Sequence, residues 1–88
     1  MKKSIYKNEN NILIDLLYSL RLKARLKQSE LAQRIGVPQS FISKIENGQR
    51  RIDIIELNKI CKIFGITLTE FIQQFEERIN AAKSKLPK

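Results

Sequence analysis

The chain has 88 residues, of which 30% are charged and 42% hydrophobic, enough for one globular domain with one core and little room for a catalytic cleft. It carries a net charge of +8, no histidine and a single cysteine, so histidine acid–base catalysis, a cysteine–histidine zinc site and an internal disulfide are excluded. It has no glycine-rich phosphate loop, signal-peptide core or long apolar span, and we expect a cytoplasmic protein that is not an enzyme and has no cofactor, metal or membrane partner.

Residues 1–10, MKKSIYKNEN, read as a basic N-terminal arm, with Ile5 and Tyr6 its only large apolar side chains. The arm either lies loosely or packs on the first helix. That helix is predicted from about Asn11 to Ala24, because Leu13, Leu16, Leu17, Leu20 and Ala24 recur at steps of three and four. From Gln28 a second helix begins, with Leu31, Ala32 and Ile35 on one side. Gly36 ends it as a left-handed C′ residue, Val37 plugs the turn, and Pro38 fixes φ ahead of the next helix. In that third helix Ile42 and Ile45 point inward with Phe41 beside them. Gln39, Ser40, Ser43 and Lys44 point outward, a face of polar side chains and one cation. The small Ala32 lets the two helices cross closely. The pair forms a helix-turn-helix, the second helix shaped for a DNA major groove.

After the stop at Asn47-Gly48 comes a basic turn, Gln49-Arg50-Arg51. Asp53 and Glu56 then form a capping box, with Ile52 placed to staple onto Leu57. The fourth helix turns Ile54, Leu57, Ile60, Cys61 and Phe64 to the core, which makes Cys61 a small hydrophobe rather than a reactive thiolate. Gly65 ends it, and Thr67 with Glu70 repeats the capping box. The fifth helix carries Leu68, Phe71, Ile72, Phe75 and Ile79 as one stripe, of which Ile79 exceeds what a small core needs. We expect the domain to span residues 11–82, followed by a frayed basic tail, 83–88. Residues 21–51 hold eight Lys or Arg against Glu30 and Glu46, a net +6, so most of the positive charge sits on the motif.

The stretch from Gln28 to Asn47 resembles the DNA-binding domain of the phage-repressor family, the Cro-like or XRE-type helix-turn-helix regulators. Gln28, Glu30-Leu31-Ala32, Gly36, Gln39-Ser40, Ile42-Ser43, Ile45-Glu46, Asn47-Gly48 and the upstream Arg21 carry the likeness, which covers about residues 12 to 76. The resemblance implies an all-α fold, a compact five-helix bundle of the lambda-repressor-like type. It implies that Arg21 is partly buried against Glu46, tying helix 1 to the recognition helix. It further implies that Gln28 binds a phosphate and buttresses Gln39. Two positions depart from the pattern. Arg25 stands where the family closes helix 1 with glycine, so either Arg25 adopts a costly left-handed conformation or the helix runs on. Lys27 stands where the family has a Ser or Thr N-cap, and lysine accepts no hydrogen bond.

These residues lead to the expectation of a sequence-specific, double-stranded DNA-binding regulator acting as a repressor. Gln39 is the first choice for a base contact, with Ser40, Ser43 and Lys44 beside it. Phe41 either touches a thymine methyl or packs against the core. Gln28, Asn47, Arg50 and Arg51 are expected on phosphates, which position without specifying. The basic arm reaches the DNA backbone through Lys2, Lys3 and Lys7 if it is not loose. A homodimer on a pseudo-palindromic operator is expected, joined through helix 5 at Phe75 and Ile79, with Ile5 or Tyr6 adding to the seam. Two alternatives use the same fold: the antitoxin of a toxin–antitoxin pair, which would bind a toxin as well as DNA, and a restriction–modification controller.

Overall fold

Good local signals start and stop most of the helices. The computed structural model describes the backbone of residues 5–84 and the side chains of residues 9–83. Five α-helices follow one another: α1 Ile5–Lys23, α2 Gln28–Ile35, α3 Gln39–Glu46, α4 Ile54–Phe64 and α5 Leu68–Ser84. Asp53 Oδ1 accepts from the Glu56 N–H at 2.8 Å, and Glu56 Oε1 accepts in return from the Asp53 N–H at 3.0 Å. Thr67 and Glu70 make the same reciprocal pair at 3.0 and 2.8 Å. At α2 only half the box forms, because the Lys27 ammonium has nothing but donors. Glu30 Oε1 still accepts from the Lys27 N–H at 2.8 Å. Pro38 is the N-cap of α3, at φ −65° and ψ 154°, one position earlier than the first helical turn where its fixed φ is most often used.

The C-termini of α1 to α4 close alike. In each, the left-handed residue and the one after it donate back to carbonyls of the last turn, the Schellman arrangement. Gly36, Gly48 and Gly65 supply the left-handed residue at φ 78°, 78° and 81°, and after α1 it is Arg25 at φ 60°. The Arg25 N–H donates to the Leu22 carbonyl at 2.9 Å and the Leu26 N–H to that of Arg21 at 3.2 Å. Of the two conformations open to Arg25, the chain takes the left-handed one, which crowds a β-carbon against the following carbonyl. Arg25→Gly is therefore expected to raise stability by about 1 kcal/mol. A thermal melt checks it, and an unchanged or lower Tm would show that the exposed Arg25 side chain offsets its own strain.

The core is built from Leu16 and Leu17 of α1, Leu31 and Ala32 of α2, Ile42 and Ile45 of α3, Leu57, Ile60 and Cys61 of α4, and Phe71 of α5. Full burial of a side chain the size of Leu or Phe stabilises by about 1.5–3 kcal/mol. Helix α2 packs on α3 and α4, and α1 packs on α3 and α5. Burial pushes the Cys61 thiol up to about 11, so it stays protonated at neutral pH and acts as a core hydrophobe.

Three expectations change. Helix α1 starts at Ile5, so residues 5–10 are helical rather than an arm, and α1 lies against α5. Helix α5 runs to Ser84, two residues past the expected domain end. Ile54 does not join the core: it and Ile55, at the start of α4, are 56% and 66% exposed. The side chains of Lys2, Lys3, Ile5, Tyr6 and Lys7 and the tail beyond 84 lie outside the described residues.

Candidate nucleic-acid interface

The site is built from the inside outward. Arg21, a residue only 6% exposed, anchors its guanidinium between α1 and α3. Its Nε donates to Glu46 Oε2 at 2.7 Å and its Nη2 to Oε1 at 3.0 Å, a two-pronged ion pair. Its Nη1 donates to the Leu26 carbonyl at 2.8 Å, and the Tyr18 ring lies 5.3 Å from the guanidinium carbon. The pair holds the last turn of α3 against the end of α1. Among the described residues no buried side-chain nitrogen or oxygen lacks a partner.

Glu46 passes this order toward the surface. Its Oε1 also accepts from Gln28 Nε2 at 2.9 Å, and Gln28 Oε1 accepts from Gln39 Nε2 at 3.4 Å, the longest link. A chain of hydrogen bonds therefore runs from the buried pair to the first residue of α3. Gln39 is exposed and keeps one N–H and its Oε1 free. That donor and acceptor match adenine N7 and N6. Gln28 keeps a single free N–H.

The remaining expected residues divide. Ser40, Lys44, Asn47 and Arg51 are exposed around α3 and the turn after it. Ser43 is half-buried, with its carbonyl accepting from the Asn47 N–H at 2.9 Å. Phe41 is half-buried against the core, and Arg50 covers its ring, the guanidinium carbon 4.2 Å from the centroid. Arg50 is not free in the way Arg51 is. Its Nη1 and Nη2 donate to Glu56 Oε1 and Oε2 at 3.1 and 3.0 Å, and Nη1 also reaches the Arg51 carbonyl at 2.7 Å. Sequence reasoning missed Glu56 as the partner of Arg50. No helical spacing links two residues six apart across a helix start, and the capping-box signal had already given Glu56 a role.

The Arg50 guanidinium beside Glu56 holds that carboxyl below the ordinary carboxylate range, with the Asp53 N–H adding to the effect. A carboxyl depressed in the folded state contributes stability that is present above its unfolded pKa and lost as pH falls through the folded one. The Tm difference between the wild type and Glu56→Gln should therefore shrink as melts move from neutral pH to about pH 3. A difference that stays constant would mean that the ionised Glu56 contributes nothing.

Comparison with known proteins bears on this surface. The model of the helix-turn-helix family matches residues 17–71. The control protein C.MunI of a Mycoplasma species is 36% identical over 55 residues, 62% of this chain and 74% of that protein. An XRE-family-like protein from Pseudomonas syringae pv. tomato superposes with a TM-score of 0.78 at 39% identity, over 84% of this chain and 90% of its own. The restriction–modification controller C.Esp1396I shares the fold, with a TM-score of 0.75 at 22% identity over 88% of this chain and 97% of its own. Its tetramer has been solved in complex with its natural 35 base-pair operator. The glutamine-bearing outer face of α3, held by the Arg21–Glu46 pair, thus belongs to a member of the XRE-type, Cro-like helix-turn-helix family of DNA-binding transcriptional regulators.

Proposed function

We propose that this protein is a repressor that reads a pseudo-palindromic operator as a two-fold homodimer. The observation that carries the reading is the chain of bonds ending at Gln39, which presents a free donor and acceptor at the start of α3. Gln39 would read adenine, with Ser40 and Lys44 on neighbouring bases. Asn47, Arg51 and the remaining N–H of Gln28 would hold phosphates. A single helix-turn-helix contacts only about half a turn of duplex, so a symmetric pair supplies the affinity that one unit lacks.

The seam expected on helix 5 needs adjusting. Phe75, itself half-buried, packs on the domain's own core, and Ile79 is half-buried too. Among the described residues the most exposed isoleucines are Ile54 and Ile55, so the seam would draw on α4 as well as α5. A restriction–modification controller is the second reading, favoured by the likeness to the control protein C.MunI and to the restriction–modification controller C.Esp1396I. Selection from random duplexes, followed by footprinting and sedimentation, tests the proposal. The expected result is a symmetric site with half-sites about 34 Å apart. A monomer protecting one asymmetric half-site would refute it.

A further inference from the structure

Arg50 touches three parts of the molecule with one planar group. Its face lies on Phe41 of α3, its two terminal nitrogens grip Glu56 of α4, and Nη1 holds the backbone of the turn between them at the Arg51 carbonyl. Glu56 Oε1 is shared, because it also accepts from the Asp53 N–H at the start of α4. The guanidinium is thereby built into the junction of recognition helix, turn and following helix.

We propose that Arg50 is a positioning residue for DNA recognition, a latch that fixes the rotation of α3 and the aim of Arg51, and not a phosphate contact. A cation that neutralises a phosphate must turn its donors outward, and its gain comes from displaced counterions. Three of the five N–H donors and one face of Arg50 are engaged inside the protein, and Glu56 pairs with its charge. Phe41 lies two residues after Gln39 and three before Lys44, so the plate that covers its ring sets how both neighbours face outward. Rigid support of a recognition group preserves its geometry, and loose support loses it. The inference rests on the reading of α3 as the base-contacting helix.

Two conservative variants separate the roles. Arg50→Lys keeps the charge but loses the two-pronged grip and the flat face. Glu56→Gln removes a negative charge and keeps one acceptor for the Asp53 N–H. Each is titrated by fluorescence anisotropy against a duplex obtained by selection and against a shuffled duplex, over a salt series, with helicity checked by circular dichroism in the same samples. The latch predicts that each variant loses about tenfold in affinity for the selected duplex, and that the double variant loses less than the product of the two. Affinity for the shuffled duplex should hardly change. The Glu56→Gln result is the sharper one, since removing an acid should by charge alone strengthen binding to every duplex. If Arg50→Lys keeps specific affinity while Glu56→Gln tightens both duplexes, Arg50 is a phosphate contact and the latch is refuted. Gln39→Ala is run beside them. If it relaxes specificity while the other two do not, only the latch fails. If it too leaves the specificity ratio unchanged, the base-reading assignment of α3 fails as well.

Discussion

Glu46→Ala is expected to lower stability by about 3–5 kcal/mol, because it strands a buried guanidinium. Arg21 would keep only the Leu26 carbonyl as acceptor, and Gln28 Nε2 would lose its partner too. For a domain of this size the loss corresponds to a fall in Tm on the order of 20 °C. The pair itself adds little net stability, since taking both charges out of water costs about as much as their attraction returns. Replacing both partners with apolar residues, Arg21→Met with Glu46→Leu, should therefore cost less than the sum of the single changes. Denaturant and thermal melts of the four proteins form the cycle. Small, additive effects would mean that the pair does not hold α1 to α3.

The second large effect is on recognition. Gln39→Ala should relax selectivity at one base step, at a cost of about 1–3 kcal/mol in the specific complex only. Arg51→Ala, which removes an exposed cation, should weaken all duplexes alike and reduce the salt slope by about 0.9. The contrast follows from chemistry: an amide matches the edge of one base, whereas a guanidinium on the backbone meets the same phosphate everywhere. Competition titrations with point-mutated duplexes read the first effect and a salt series reads the second. If Gln39→Ala left the ratio of specific to nonspecific affinity unchanged, α3 would not present its N-terminal residues to the bases.

Signals of short range were legible in the chain alone. Capping boxes join residues three apart, so Asp53 with Glu56 and Thr67 with Glu70 set the starts of α4 and α5 whatever surrounds them. Left-handed stops depend on one residue, so Gly36, Gly48 and Gly65 end their helices where expected, whereas the sequence left Arg25 open between a left-handed stop and a longer helix, and the fold takes the left-handed one. The apolar stripes of α2 and α3 identified the buried side of the motif, because burial follows from a period of 3.6 residues.

What depends on how far neighbouring helices extend was decided only by the tertiary structure. Residues 5–10 include Asn8 and Asn10, poor helix formers, yet they continue α1, a helix that packs on α5. The stripe of α4 includes Ile54 by period, but a period gives direction and not the reach of the packing partner, and Ile54 stays in solvent. Arg50 is the clearest case. By composition it is one more cation in a basic turn, free for a phosphate. Its engagement with Phe41 and Glu56 exists only because the fold brings the side of α3 to the first turn of α4. The identity of a charge is written in the sequence, but whether it faces water or a carboxylate depends on the three-dimensional arrangement of its neighbours.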